Sequence, residues 1–372
     1  MKSVRFFKIC ILGLLVRMSP AIAQSDNAQS KLLTAQCGCE EMLEQAIDKV
    51  SRIYAGFDDK VTEQTRPAYD KLVKDLRYRA PGAKTEGECL KILQDYTGFF
   101  KDSHVFMIWQ GWKNDGTAAR KANASRTDLV QFKRLNADFL YLKLGVFNQQ
   151  EVNQIDSILL ANKALLASTP YLIFDLRGNG GGNAGTSDEM AKLIYTNPIV
   201  YPSWDYRSSS EYISSMEKEL KSQKDTTNPY YGRAQRLLRA VKENPGKLVN
   251  DGEDLQRAYN IDPKAYPQHI AFLMDKGCGS ATEFFIYEGK QSKKVTLFGT
   301  NSHGVMDYGS DQNFDLCDGT FNLAVPWGRN GWVREFRIDN VGFAPHVRIP
   351  VGEVDWVAFV QRCYAKRDST GK

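Results

Sequence analysis

The segment that most restricts the fold is Tyr171-Leu-Ile-Phe-Asp175-Leu-Arg177-Gly178-Asn179-Gly180-Gly181-Gly182. An apolar, β-prone run ends in Asn179 and four glycines, residues that reach backbone conformations closed to most side chains. Thr186 or Ser187 then supplies a helix N-cap, and Asp188 and Glu189 fall in the first helical turn. The amides of such a turn converge on an anion, either a phosphate or a developing oxyanion. Phosphate binding does not fit: no Lys-Ser/Thr follows the glycines, and the G-x-G-x-x-G register is missing. A tight turn feeding a helix is the simplest reading, because glycines alone prove no chemistry. Asp175 and Arg177 are expected to brace the loop as an ion pair.

This strand-turn-helix sits in a longer alternation. Short apolar runs at Val105–Trp109, Phe139–Leu144, Tyr171–Leu176, Ile270–Met274 and Val295–Phe298 alternate with helix-like stretches at 150–167, 186–195 and 280–290. That pattern predicts an α/β fold around a buried sheet. Ahead of it, Met42, Leu43, Ala46, Ile47, Val50 and Ile53 recur at helical steps, as do Tyr69, Leu72, Val73 and Leu76, then Leu90, Leu93 and Tyr96. The expected organisation is a leader at 1–23, a helical N-terminal domain at 24–102, and a core domain at 103–372. Residues 205–262 are charged and helix-like around 210–222 and 233–243. They read as an insertion, either a solvated decoration or a lid. Cys317-Asp318-Gly319-Thr320 between apolar runs signals a hairpin.

Lys2, Arg5 and Lys8 precede the apolar run Ile9–Val16, and Ala21-Ile22-Ala23 follows it. This is the order of a secretory signal peptide, with cleavage expected before Gln24 and export to the periplasm or the extracellular space. The run is too short for a membrane span, and no second apolar stretch is long enough for one. Loss of the leader lowers the formal charge from +5 to +1 and leaves no basic stripe for nucleic acid. Six of the seven cysteines remain (37, 39, 89, 278, 317, 363), which permits disulfides in fifteen pairings that sequence does not choose between. Cys37-Gly38-Cys39 has no second ligand pair at zinc spacing, and the four histidines show no HExxH, so no metal or other cofactor is expected.

His269-Ile-Ala-Phe-Leu-Met-Asp275-Lys-Gly277-Cys278-Gly279-Ser280-Ala281-Thr282-Glu283 carries the second signal. A strand runs through two glycines into Ser280 and then a helix. The field at a helix N-terminus favours a forming alkoxide and its tetrahedral product, and the Ala281 N–H points to the same place. Taken alone, Ser280 reads as an N-cap, and Cys278 is a rival nucleophile. A serine needs a base. His104, in Asp102-Ser103-His104 where the core begins, is the first candidate, and His303 on a Gly-flanked turn competes.

At this point three blocks resemble the C-terminal-processing (tail-specific) and tricorn-core serine peptidases. Leu172–Gly182 is similar to the family's D-L-R-x-N-x-G-G strand-turn. Gly279-Ser280-Ala281-Thr282-Glu283 is similar to its S-A-S/T-E nucleophile segment. Asn340-Val-Gly342-Phe-Ala-Pro345-His346 resembles its N-x-G-V-x-P-D block. The resemblance implies a crotonase-like (ClpP/crotonase) α/β core and hydrolysis of peptide or protein substrates. It assigns Ser280 as nucleophile and Gly181, Gly182 and Ala281 to the oxyanion hole. In Gly299-Thr-Asn-Ser-His303-Gly304-Val305-Met306 the lysine position of the processing proteases holds Val305, which accepts no proton. Ser103-His104 instead matches the Ser-His pair of the tricorn-like branch. Its late carboxylate falls on Asp339, with Glu335 as the alternative. Only 70 residues separate His104 from Asp175, which a PDZ module would nearly fill, so carboxylate capture by such a module is not expected. Two rivals stand beside this reading: a binding protein that has lost catalysis on the same scaffold, and a crotonase-type acyl-CoA enzyme, which export from the cytoplasm disfavours.

Overall fold

The structure is a computed structural model that describes residues 32–33, 37–110, 129–262, 264–265, 267–317 and 319–370. The leader and Asp318 lie outside the described residues. In chain order, the first elements are helices α1 (Cys39–Ile53), α2 (Phe57–Lys60), α3 (Arg66–Arg79) and α4 (Glu86–Gly98), then strands β1 (Phe106–Trp109), β2 (Val130–Arg134) and β3 (Phe139–Leu144). Helices α5 (Gln149–Ala161) and α6 (Lys163–Ser168), strand β4 (Tyr171–Asp175), helix α7 (Asp188–Ile194) and strands β5 (Ile199–Tyr201) and β6 (Asp205–Arg207) follow. Next come α8 (Ser210–Ser222), α9 (Pro229–Glu243), β7 (Leu248–Asn250), β8 (Leu255–Arg257), β9 (His269–Met274) and α10 (Ala281–Gln291). The chain closes with β10 (Val295–Gly299), β11 (Tyr308–Leu316), β12 (Phe321–Arg329), β13 (Val347–Arg348) and α11 (Trp356–Thr370). This is the α/β class with a helical N-terminal region, as expected. Among the described residues no helix is long and apolar enough to cross a membrane.

The chain divides into two compact units. The first takes the N-terminal region to residue 124, Pro202–Glu253 and Asp307–Phe336; the second takes Ser125–Tyr201, Asp254–Met306 and Arg337–Lys372. The expected boundary at 102/103 therefore shifts, and residues 205–262 are not a mere decoration of one core. Strands β6 and β7 join the sheet β1-β12-β6-β7, to which β11 is added as the hairpin partner of β12. Each of these two strands is three residues long, too short to leave an alternation in the sequence. In the same unit, α1 turns Met42, Leu43, Ala46, Val50 and Ile53 inward, and burial of each of the four larger side chains contributes roughly 1.5–3 kcal/mol. Disulfides Cys37–Cys317 and Cys39–Cys89 staple α1 to the β11–β12 turn and to α4.

The second unit is built on a six-stranded sheet of order β13-β10-β9-β4-β3-β2. Strands β3, β4, β9, β10 and β13 are mutually parallel, and β2 is an antiparallel edge. Every residue of β4 is buried, the signature of a central parallel strand covered on both faces. Phe174 and Phe272 on adjacent strands meet Phe285 of α10 with ring centroids 5.1 and 4.7 Å away, which fixes that helix on the sheet. Strands β5 and β8 pair as a separate two-stranded ladder where the chain leaves and re-enters this unit.

Candidate active site

Because β4, β9 and β10 are parallel neighbours, the turns that follow them emerge at one edge of the sheet. In open α/β sheets that carboxyl edge is where ligands bind. The glycine turn after β4, the serine turn after β9 and the 300–306 loop after β10 are thus brought together by topology. Asp275 Oδ1 accepts from the Gly178 and Gly277 amides, each at 2.9 Å, and ties the first two turns. The Asn179 carbonyl accepts from the Gly279 amide at 3.1 Å and from Thr282 Oγ1 at 2.9 Å. The His303 amide donates to the Cys278 carbonyl at 2.7 Å and adds the third.

Ser280 stands at the head of α10 with φ 53° and ψ −125°, a left-handed backbone that a non-glycine residue adopts only at a cost. Its side chain makes no capping hydrogen bond, so the simple N-cap reading fails and the hydroxyl is held at a strained strand-to-helix corner. Gly181, with φ 99°, packs directly on this corner: a Cβ there would stand 2.7 Å from Ser280 Cβ and 2.9 Å from the Ala281 nitrogen. Gly182 is equally constrained, since a Cβ would approach the Phe147 carbonyl oxygen to 2.2 Å. The Gly181 amide donates to Asn179 Oδ1 at 3.0 Å, a bond the sequence reading did not include. Cys278, the rival, lies two residues before Ser280. Its thiol is free of disulfides, buried and donated to the Leu176 carbonyl at 3.0 Å, and burial pushes its ionisation well above the ordinary thiol range.

The brace at Asp175 has the expected form. Arg177 Nε and Nη2 reach its two oxygens at 2.9 and 2.6 Å, the Tyr141 hydroxyl donates to it at 2.8 Å, and the guanidinium lies over the Trp356 ring. Val305, at the lysine position, is buried.

The four histidines separate by role. His269 stacks on Tyr171, with ring centroids 5.2 Å apart. His346 Nδ1 accepts the Leu297 amide at 3.0 Å, and burial together with Lys290 holds its pKa below the ordinary value. His303 covers Gly279, where an added Cβ would lie 3.3 Å from both its Cβ and its Nδ1. His104 belongs to the first unit and stands between two acids, with Nδ1 3.7 Å from Asp102 Oδ1 and Nε2 4.0 Å from Asp311 Oδ2. Asp102 is fully buried and accepts from the His104 amide at 2.9 Å and the Tyr54 hydroxyl at 2.7 Å. Burial raises its pKa against the opposing pull of His104 and Tyr54. Burial also pushes Asp311 up to about 6, again opposed by His104. Ser103 beside it is exposed.

Of the candidate late acids, Glu335 is exposed and lies in the first unit. Asp339 is half-buried in the second unit, on a turn whose Asn340 amide donates to the Gly304 carbonyl at 2.7 Å. The sequence reading missed Asp311, because its partner lies some two hundred positions away and no spacing rule connects them. It also passed over Asn179, Asp275 and Glu283 as site-builders, although each lies inside a segment it had singled out.

Peptidase family S41 matches residues 138–348. No curated protein sequence matches the chain. Among solved structures, mature CPAF superposes with a TM-score of 0.57 at 11% identity over 84% of this chain and 93% of its own. A lipoprotein from Streptococcus agalactiae gives 0.51 at 15% identity over 91% and 99%. The photosystem II D1 C-terminal processing protease gives 0.50 at 14% identity over 87% and 95%. These likenesses are of fold. The family match covers more than half of the sequence, and with it the chain is a serine-type peptidase, a hydrolase, that belongs to peptidase family S41.

Proposed function

We propose that the protein is an exported peptidase that cleaves peptide bonds through an acyl-enzyme on Ser280. The observation that carries this reading is the strained backbone of Ser280, its hydroxyl not spent on capping, packed against Gly181 at the carboxyl edge of the sheet. Ser280 Oγ attacks the substrate carbonyl carbon and passes its proton to an imidazole, while the carbonyl electrons move onto oxygen. The amides of Ala281 and of the Gly181-Gly182 turn receive that oxyanion, and removal of one such donor typically costs roughly 3–4 kcal/mol in the transition state. Collapse breaks the C–N bond, the imidazolium protonates the leaving amine, and water repeats the sequence on the ester. The Gly181 amide is donated to Asn179 Oδ1, so its use requires that bond to be shared with the oxyanion.

His104 is taken as the base, with Ser103 and Asp339 (or Glu335) as its supports. Its setting between Asp102 and Asp311 favours the imidazolium that forms in the reaction. A second reading makes His303 the base, and its ring against Gly279 favours that. Intact-mass labelling with a fluorophosphonate tests both. One adduct is expected on the mature protein and none on Ser280→Ala. Loss of labelling and of casein cleavage in His104→Ala, with activity kept in His303→Ala, supports the first base, and the reverse pattern selects the second. Adduct formation on Ser280→Ala refutes the nucleophile. Export is checked by N-terminal sequencing of the secreted protein, which is expected to begin at Gln24.

A further inference from the structure

Glu283 is the third residue of α10, where a glutamate ordinarily turns back to cap its own helix. Here it is fully buried and reaches a different loop. Oε1 accepts from Ser302 Oγ at 2.5 Å and the Gly304 amide at 2.7 Å, and Oε2 accepts from the Val305 amide at 2.9 Å. A buried carboxylate holding three donors is costly to disturb in any one of them. The contacts continue outward. Ser302 Oγ accepts from the Phe343 amide at 2.8 Å, and the Ser302 amide donates to the Phe343 carbonyl at 3.1 Å. The approach is too close for side chains: a Cβ on Gly342 would stand 2.1 Å from the Ser302 oxygen, and one on Gly304 2.2 Å from the Ile338 oxygen.

We infer that Glu283 is a positioning residue. From the first turn of the helix that holds Ser280 it fixes the 302–305 loop, which carries His303, and through Ser302 the 338–343 turn, which carries Asp339. The inference rests on Ser280 being the nucleophile. The mutual placement of the Ser280 corner, the His303 loop and the Asp339 turn is then set by one carboxylate and one hydroxyl. A displacement of about 1 Å from productive geometry lowers a rate about 100-fold, without weakening the binding of a reagent that makes no contact with the clamp.

The test measures the inactivation rate constant (kinact) and the inhibition constant (KI) of a fluorophosphonate on wild type, Ser280→Ala, Glu283→Gln, Ser302→Ala and the double variant, with near-ultraviolet circular dichroism and thermal melting alongside. Glu283→Gln keeps the size but presents an amide donor to donors. Its kinact is expected to fall about 100-fold with KI within about 3-fold, at temperatures well below its melting point. Ser302→Ala is expected to fall less, and to add nothing in the Glu283→Gln background because the two act through one connection. Unchanged kinact in Glu283→Gln, multiplicative losses in the double variant, or losses that track the folded fraction overturn the inference while Ser280→Ala remains unlabelled. Should Glu283→Gln fail to fold, Ser302→Ala decides: a lowered kinact at wild-type KI upholds the clamp, and wild-type kinact overturns it. Labelling of Ser280→Ala removes the reading beneath it instead.

Discussion

Replacement of Glu288 by glutamine is expected to remove one loss of stability that wild type suffers as pH rises. Glu288 lies buried on α10, and its Oε1 accepts the Tyr201 hydroxyl at 2.9 Å. Burial lifts its pKa from 4.5 to about 7 against the opposing pull of Arg257 and of the Tyr201 and Thr186 hydroxyls. In the fold the carboxyl is therefore still protonated at pH values where the unfolded chain has ionised. Its contribution is fully present below pH 4.5 and is lost as pH rises to about 7. At 1.36 kcal/mol per pH unit the loss amounts to about 3 kcal/mol. Glutamine keeps the acceptor for Tyr201 and never ionises. Urea unfolding of wild type and Glu288→Gln, followed by tryptophan fluorescence between pH 4.5 and 8, cancels the titrations common to both. The glutamine variant should gain about 3 kcal/mol on wild type across that range. A flat difference means that Arg257 keeps the carboxylate ionised and that desolvation is the lesser effect.

Gly181→Ala should lower fluorophosphonate labelling about 100-fold or more, because the added methyl meets Ser280 Cβ at 2.7 Å and the Gly279 oxygen at 2.8 Å on a left-handed backbone; labelling at the wild-type rate would show that the turn yields without moving the nucleophile. Iodoacetamide on the native protein should modify Cys363 and spare Cys278 until denaturant is added, since Cys278 is buried and its thiol is pushed further from ionisation; peptide mapping reads this out. Removing the Cys39–Cys89 disulfide, which closes a span of 50 residues, with paired serine substitutions should lower unfolding stability by about 4 kcal/mol in urea titrations. A loss near zero would place the constraint in the native packing of α1 on α4 rather than in the unfolded chain.

Much of the second unit was legible along the chain because its information is local. Strands Phe139–Leu144 and Tyr171–Asp175 are apolar except for Lys143 and the terminal Asp175, as a sheet covered on both faces demands, and the turns after β4 and β9 announce themselves through glycines. The Asp175–Arg177 brace and the Ser280 corner follow from neighbours within a few positions. What local order cannot encode is which distant segments share an edge. That β4, β9 and β10 are adjacent and parallel, so that Asn179, Ser280, His303 and Glu283 assemble, is decided by strand pairing. The same holds for Asp311 beside His104, and for the three-residue strands β6 and β7 that draw residues 202–253 into the first unit. Sequence by itself determined which residues can react and which backbones can bend. Only the tertiary structure decided which carboxylate faces which donor, because a buried acid finds its partners through space, at separations over which the chain keeps no period.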